Sequence, residues 1–358
     1  MVGEKQDNLS RTPCNIDAFS SRGADFKIKK EKSRRKVNRP SDIAARFGES
    51  LISEGFAGSL AYDKSLAPYT TWGVGGPALI VAEIPSKKDL ALFFKLASSC
   101  PLPVLIIGAG SNLLVSDDGF DGIVIRLAGE FTEASFDNTA VHAGAAYTIT
   151  KLVRECCRRG LGGIERLAGI PGTVGGAIFM NAGTFDEYIG EMVRDVEIFS
   201  SDLRFETVPK SSCGFGYRNS RFQNSDEIIL SCTLIFRRGE SGSISEEVER
   251  RLERRKRTQP IHLPSCGSVF RNPPDGLKAA QLIEQAGLKG MTRGGAMISD
   301  LHANFIVNTG NATARDILSL MALVRHTVKE KTGTALIPEV RTCGFESSLE
   351  VMLDEWKD

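Results

Sequence analysis

The chain has 358 residues, which is enough for two or three domains with separate cores. Hydrophobic residues make up 41% of it, charged residues 25%, and the net charge is +1, so the totals do not predict binding to nucleic acid or to an anionic membrane. No stretch approaches the roughly 18 apolar residues of a membrane span, and the N-terminus carries charges where a signal peptide has its apolar core. We expect a cytoplasmic protein.

Residues 1–45 are polar and contain a basic run, "KIKKEKSRRK", at 27–36. Such a composition cannot bury a core and predicts a disordered, solvated extension. A nucleic-acid-binding arm and an organelle transit peptide are the alternatives. The interspersed acidic residues argue against a transit peptide.

Two lobes are predicted next, over about 46–127 and 128–238. In the first, the apolar periods indicate a strand at 78–84, a helix at 86–99 that begins at Ser86, a buried strand that runs into a glycine-rich turn over 103–112, and a strand at 122–127. In the second, they indicate strands at 140–145, 193–201 and 227–238, and a helix capped by Thr148 and ended by Gly160.

After Gly239 the pattern changes to a charged helix at 243–259 that Pro260 ends. Helices at 277–288 and 313–333 and strands at 304–310 and 338–345 follow. We interpret 239–346 as a smaller third unit and 347–358 as a tail, and the fold class as α+β.

The cysteines and histidines do not indicate a metal site. The eight cysteines include no C-x-x-C pair, and the four histidines have no ligand spacing. We expect reduced thiols and no bound metal.

Three glycine-rich stretches are the strongest candidates for ligand binding. "GAGSN" at 108–112 follows a strand, and its backbone N–H groups suit either a phosphate or a tight turn. "GVGGPA" at 73–78 has the letters of a dinucleotide fingerprint but no following helix, so a turn is favoured there. "GIPGTVGGAIFMNAG" at 169–183 has five glycines and predicts a backbone that a large flat ligand approaches closely.

Reactive polar residues occur in three other places: Tyr217 and Arg218 in "GFGYRNS", Ser268 and Asn272 in "CGSVFRNP", and Glu339 and Arg341 in "PEVR". Each is ordinary by itself, because lone charged residues are mostly solvated and lone serines mostly occupy turns.

Taken together, eight blocks occur in an order that is similar to one known family: "TTWGVGGPA", "IIGAGSNLLVSDDGFDGIVI", "GIERLAGIPGTVGGAIFMNAG", "CGFGYRNSRF", "CGSVFRNP", "AAQLIEQAGLKG", "GGAMISDLHANFIVN" and "PEVR". They resemble the UDP-N-acetylenolpyruvoylglucosamine reductases, flavoenzymes of bacterial cell-wall synthesis. The resemblance runs from about residue 60 to 345. It implies a two-lobed FAD-binding domain of the vanillyl-alcohol-oxidase/p-cresol-methylhydroxylase type, followed by a smaller substrate-binding domain.

The resemblance also implies non-covalently bound FAD and NADPH as co-substrate. The residues expected to line FAD are Thr71, Gly73, Gly76, Gly108, Gly110, Ser111, Asn112, Gly169, Ile170, Pro171, Gly172, Thr173, Gly175, Gly176, Ala177, Asn181 and Arg341. This assignment replaces the turn interpretation of 73–78.

For the chemistry, the resemblance implies that Arg218 and Glu339 stabilise the carbanion character that hydride addition creates, and that Ser268 delivers the proton. Tyr217, Asn272 and Lys256 are expected to bind the substrate, with Arg257 as an alternative. The chain lacks the tyrosine-bearing insertion of one family branch, so it is similar to the shorter branch. Cys266 would place a thiol near the flavin, which predicts sensitivity to oxidation.

Two rival functions stay open. Another FAD-dependent oxidoreductase of the same fold could use a different substrate, although "CGSVFRNP" and "PEVR" favour the reductase. A nucleic-acid-binding protein would use residues 27–36, but this leaves the glycine-rich blocks unexplained.

Overall fold

The computed structural model describes residues 39–184 and 187–355, so most of the predicted N-terminal extension lies outside the described residues. The first helix, α1 (Pro40–Ser53), begins inside the segment that we assigned to this extension. It does so because Ala44, Phe47 and Leu51 form an apolar face that is buried on the first lobe. The boundary at residue 46 is therefore corrected to Pro40.

The first lobe is a four-stranded sheet with two helices packed against it. Its sheet has the order β1-β2-β5-β3, with β2 and β5 parallel. After α1 its elements are β1 (Ser59–Ser65), β2 (Pro77–Ile84), α2 (Lys87–Ala97), β3 (Val104–Ile106), β4 (Leu113–Val115) and β5 (Phe120–Leu127). The predicted Ser86 cap is confirmed, since its side chain accepts the Asp89 N–H. The strand predicted before the "GAGSN" turn is found at Val104–Ile106, but its residues are half-buried or exposed instead of buried.

The second lobe is a five-stranded antiparallel sheet of order β12-β11-β13-β7-β6. Its central strand, β13, is buried over seven of its eight residues, which explains its mostly apolar sequence. The predicted Thr148 cap of α3 is confirmed. The elements are β6 (Ala134–Asp137), β7 (Ala140–Gly144), α3 (Ile149–Arg158), β8 (Leu161–Gly162), α4 (Val174–Met180), β9 (Gly183–Thr184), β10 (Glu187–Tyr188), β11 (Val193–Phe199), β12 (Phe205–Pro209), β13 (Ile228–Ile235) and β14 (Arg237–Arg238).

The charged helix α5 (Ser241–Thr258) belongs to this second lobe. Its buried residues Ile244 and Val248 pack in the same cluster as Leu152 of α3 and Ile164. Our boundary at residue 239 is therefore wrong as a packing boundary. The apolar residues of α5 are few, and only the tertiary structure shows which core they join.

The C-terminal unit follows α5 and surrounds the long helix α7 with a three-stranded sheet of order β15-β16-β17. The predicted tail contains a helix, α8, whose Leu349 and Leu353 are buried in the same core, so the interpretation of 347–358 as a mere tail is wrong. The elements are α6 (Ala279–Gln285), β15 (Thr292–Arg293), β16 (Ala296–Ile298), β17 (Ile306–Asn308), α7 (Ala314–Thr332), β18 (Arg341–Cys343) and α8 (Leu349–Glu355).

Polar and backbone contacts join the C-terminal unit to the first lobe. The Trp72 indole Nε1 donates to the Ile306 carbonyl at 2.7 Å, and the Asn308 amide donates to the Trp72 carbonyl at 2.9 Å. Strand β18 pairs in parallel with β4 of the first lobe. These contacts place residues 338–343 beside the "GAGSN" turn, and this placement positions the site described below.

Asp117 of the first lobe caps α7 across this junction, and its removal is expected to destabilise the protein. The Asp117 carboxylate accepts the backbone N–H groups of Ala314 and Arg315 at 2.8 and 3.0 Å. We expect Asp117→Ala to lower the free energy of unfolding by about 1 kcal/mol, the usual cost of losing such a cap. Urea denaturation would measure it. Asp118→Ala is the matched control, and equal stability of the two variants would contradict the prediction.

Candidate active site

The two main glycine-rich stretches face one another across the lobes. The Ser111 hydroxyl donates to the Pro171 carbonyl at 3.2 Å. A Cβ added to Gly108 would lie 2.6 Å from the Thr173 Oγ1. The Thr71 N–H donates to the Gly110 carbonyl at 3.2 Å, so the 71–76 turn joins the same region. The structure therefore brings all three stretches together, as we expected of parts of one site.

The glycines of these stretches fall into two groups. Gly76, Gly110 and Gly175 are crowded by protein: a Cβ on them would meet Asp117 O at 2.2 Å, Tyr69 O at 2.0 Å and Ala145 Cβ at 2.8 Å. Gly172 and Gly176 are less crowded, since a single atom lies within 4 Å of each Cβ position, a hydroxyl oxygen at 3.1 and 3.5 Å respectively. These two glycines leave more space on one side for a ligand, whereas the crowded ones are explained by packing.

Several residues expected to contact FAD use their side chains for protein contacts. Asn181 is buried; its amide donates to the Gly216 carbonyl at 2.8 Å and accepts the Gly190 N–H at 3.0 Å. The Thr173 hydroxyl caps α4, and Ala177 is buried in the second-lobe core. These three side chains therefore have structural roles, and their place at a cofactor stays a prediction. Ile170 and Pro171, by contrast, are not buried.

Arg218 and Glu339 form an ion pair, although 121 positions separate them in the sequence. The Arg218 Nε donates to Glu339 Oε1 at 2.5 Å, and Arg218 Nη2 donates to the Gly183 carbonyl at 3.0 Å. Their side chains are only 18% and 14% exposed, respectively. Arg218 has a φ of +50°, an unfavourable backbone conformation of the kind that clusters at functional sites.

The pair is arranged to receive a further acceptor. Arg218 Nη1 is buried and has no hydrogen-bond partner within residues 39–184 and 187–355. A buried, unsatisfied charged donor is costly, so this nitrogen favours an acceptor supplied by a ligand. Burial raises the pKa of Glu339 and Arg218 opposes this shift, with the net direction upward. A carboxyl group of this kind is easier to protonate, and it can then donate a hydrogen bond.

Ser268 lies beside Glu339 on a fixed segment. The Glu339 N–H donates to the carbonyl of Val269, the residue after Ser268, at 2.8 Å. The Asn304 side chain holds both backbone groups of Phe270. Its Oδ1 accepts the Phe270 N–H at 3.0 Å, and its Nδ2 donates to the Phe270 carbonyl at 2.8 Å. Ser268 itself makes no side-chain hydrogen bond to the described residues and is half-buried. Its hydroxyl is therefore available to a ligand.

Asn112 links the glycine turn to this pair. Its amide donates to the Glu339 carbonyl at 2.9 Å, and its own carbonyl accepts the Arg341 N–H at 3.0 Å. Arg341 lies with its guanidinium 5.5 Å from the Phe179 ring centre. Sequence reasoning placed Asn112 at the cofactor, which stays a prediction, and the structure adds that its side chain holds the Glu339 backbone. The contacts of the Gly183 carbonyl and of the Asn304 side chain were not predicted, because a backbone acceptor and a buried amide leave no recognisable signal in a single sequence.

Tyr217 and Asn272 also come together, whereas Lys256 does not join them. The Tyr217 hydroxyl accepts the Asn272 N–H at 3.1 Å, and Tyr217 is 42% exposed. The Asn272 side chain accepts the Ala279 N–H at the start of α6. Lys256 lies on the exposed side of α5, paired with Glu253 at 2.6 Å.

Comparison with known proteins agrees with this geometry. An FAD-binding-domain model matches residues 78–202, and the model of the C-terminal domain of UDP-N-acetylenolpyruvoylglucosamine reductase matches 259–343. UDP-N-acetylenolpyruvoylglucosamine reductase 2 of Symbiobacterium thermophilum is 41% identical over 80% of this chain and 93% of its own. The chain belongs to the UDP-N-acetylenolpyruvoylglucosamine reductase family.

Other reductases of the family agree. The enzyme of a Synechococcus species is 42% identical over 83% of this chain and 97% of its own. The crystal structure of the reductase from Thermus caldophilus is 37% identical, covers 80% of this chain and 99% of its own, and superposes with a TM-score of 0.68. The predicted family, α+β fold and FAD-binding domain are confirmed. The C-terminal match begins at residue 259, directly after α5, in agreement with the packing.

Neither a membrane helix nor a metal cluster is found in the part of the chain that the structure describes. There, no helix is long and apolar enough to cross a bilayer, and no group of three or more potential ligands could hold a metal ion. The seven described cysteines are free thiols.

Cys266 is expected to resist alkylation, contrary to the oxidation sensitivity that we predicted from its position in this reductase family. The thiol is 5% exposed, and burial together with the nearby Glu339 carboxylate raises its pKa well above the usual value. The reactive species is the thiolate, so Cys266 should react slowly with iodoacetamide at neutral pH. Mass spectrometry should find half-buried Cys100 labelled before Cys266. Rapid labelling of Cys266 with loss of activity would restore the original prediction.

Proposed function

We propose that the protein reduces the enolpyruvyl ether of UDP-N-acetylglucosamine to UDP-N-acetylmuramate, with NADPH as the source of hydride, in peptidoglycan precursor synthesis. The Arg218–Glu339 pair beside the available Ser268 hydroxyl carries this proposal. We place the reaction in the cytoplasm, where NADPH is available and thiols such as the seven described ones stay reduced.

The residues around the facing glycine stretches fit a large flat cofactor. Gly172 and Gly176 each have only one hydroxyl oxygen near their Cβ positions, the Ser111 hydroxyl lies at the Pro171 carbonyl, and the FAD-domain match spans both stretches. We assign the holding of FAD to the backbone of 108–112 and 169–176. When bound, FAD supplies the hydride chemistry that amino-acid side chains lack.

The side chains of the site stabilise the negative charge that the reaction creates and donate a proton. Hydride addition to the enolpyruvyl double bond places negative charge beside the substrate carboxylate. Arg218 can donate to it through its unpartnered Nη1, and a protonated Glu339 can donate a second hydrogen bond. Ser268 gives its hydroxyl proton to the adjacent carbon, which completes the addition of hydride and proton. Serine is a weak acid, so this transfer requires the strongly basic carbon that Arg218 and Glu339 stabilise.

An anaerobic reduction experiment tests the proposal. The purified protein should be yellow, lose its flavin absorbance on addition of NADPH, and regain it on addition of UDP-N-acetylglucosamine enolpyruvate. UDP-N-acetylglucosamine, which lacks the double bond, is the matched control and should restore no colour. If the enolpyruvyl ether failed as well and only air restored the colour, the protein would be an oxidase of the same fold with another substrate.

A further inference from the structure

Arg271 lies close to the Arg218–Glu339 pair but takes no part in the reaction steps proposed above. It belongs to the segment that pairs with the "PEVR" stretch. The Arg271 N–H donates to the Ile337 carbonyl at 2.8 Å, and the Glu339 N–H donates to the Val269 carbonyl at 2.8 Å. These two hydrogen bonds flank one antiparallel bridge, so they fix the register of the two segments.

This register puts Arg271 and Glu339 on the same side of the paired segments. Residues opposite each other in an antiparallel pair point to one face, and every second residue returns to that face. Val269 lies opposite Glu339, so Arg271, two positions further along, is a diagonal neighbour of Glu339. Diagonal neighbours lie about 7–8 Å apart, which is within reach of a long side chain. The Arg271 guanidinium and the Glu339 carboxylate are therefore close enough for their charges to interact.

The charge of Arg271 is not taken up by another carboxylate. Arg271 is half-buried and forms no ion pair with residues 39–184 and 187–355. Its Nε is buried and has no hydrogen-bond partner in the same ranges. Arg271 therefore acts on Glu339 as a second cation, in addition to Arg218, which bonds to Glu339 directly.

Three influences act on the Glu339 carboxyl group. Burial is the largest and raises its pKa, whereas the positive charges of Arg218 and Arg271 both oppose that rise. The nearby Cys266 thiol adds no charge, because burial and the Glu339 carboxylate raise its pKa well above the usual value. Two cations therefore face one carboxylate, and the carboxylate of a substrate would balance the second cation.

We propose that Arg271 is a positioning residue that acts through Glu339. Its charge favours the Glu339 carboxylate before the substrate binds. The substrate carboxylate then neutralises this charge, and Glu339 takes up a proton from solvent. The inference rests on the proposed function, in which a protonated Glu339 donates a hydrogen bond to the reacting group. Arg271 has this role without contacting the substrate, whereas Arg218 contacts it through Nη1.

The pH dependence of the second half-reaction tests the proposal. Reduced protein is mixed with saturating UDP-N-acetylglucosamine enolpyruvate at neutral to alkaline pH, and the rate of recolouring should fall as Glu339 loses its proton. Arg271→Gln removes a cation that lowers the pKa of Glu339, so the fall should shift to higher pH. Arg271→Lys keeps the charge and should restore the wild-type profile. Arg315→Gln, the same change as Arg271→Gln at an exposed arginine of α7, is the control and should not shift it.

Infrared spectroscopy of the FAD-loaded protein gives a readout that does not depend on turnover. The band of the protonated Glu339 carboxyl group is assigned by its loss in Glu339→Gln. In Arg271→Gln this band should persist to higher pH than in the unaltered protein. Addition of UDP-N-acetylmuramate, which carries the carboxylate of the product, should move the band of the unaltered protein in the same direction.

An unshifted profile in Arg271→Gln overturns the proposal in either of two ways. A higher KM with an unshifted profile would show that Arg271 contacts the substrate, and an equal loss of rate at every pH would show a merely structural role. If the enolpyruvyl ether recolours the unaltered protein, the proposed function stands and only the role of Arg271 fails. If it does not, the proposed function fails, and the infrared titration still tests Arg271.

Discussion

Replacing Ser268 with alanine is expected to lower turnover of the enolpyruvyl substrate by about 10²- to 10⁴-fold, the usual contribution of a positioned proton donor. The change removes only the Ser268 hydroxyl, which makes no side-chain hydrogen bond to the described residues, so the fold should be unaffected. FAD content and bleaching by NADPH should match the wild type. Stopped-flow measurement of the two half-reactions would separate these effects.

Ser265→Ala is the matched control, because it makes the same change three residues earlier and should leave turnover normal. If Ser268→Ala recoloured at the wild-type rate, another group would be the proton donor. A loss of NADPH bleaching in this variant would instead indicate that Ser268 supports the cofactor site.

The second large effect is expected at Arg218. Arg218→Lys keeps a positive charge but cannot serve Glu339, the Gly183 carbonyl and a ligand at once through a planar fork. Loss of one preorganised donor typically lowers kcat by about 10²- to 10³-fold, and we expect a decrease of this size. The reaction of the reduced protein with substrate should slow, while bleaching by NADPH is largely retained.

Arg221→Lys provides the control for this substitution. Arg221 pairs with Glu227 on the same segment and lies outside the proposed site. It should be close to wild type in both half-reactions. Equal turnover of the two variants would show that the fork of Arg218 has no special role, and thermal denaturation would check that neither variant is merely unstable.

The sequence predicted the residue types of the site better than their contacts. The polar triplet of Arg218, Ser268 and Glu339 was assigned from a resemblance carried by eight blocks, and the structure brings Arg218 and Glu339 to 2.5 Å from each other. By contrast, we assigned Asn181 to the cofactor, and only the structure shows that its side-chain amide bonds to Gly190 and Gly216. The sequence alone does not show whether an amide in a glycine-rich loop bonds to a ligand or to the backbone.

Local sequence determined the elements and several of their ends. Ser86 and Thr148 cap their helices as predicted, because a hydroxyl two or three residues before a helical N–H needs no distant partner. Only the tertiary structure decided that α5 packs on the second lobe and that the tail forms a helix. Those outcomes depend on contacts between residues far apart in the chain. The free energy of such a contact depends on both residues, so the sequence of one segment alone cannot predict it.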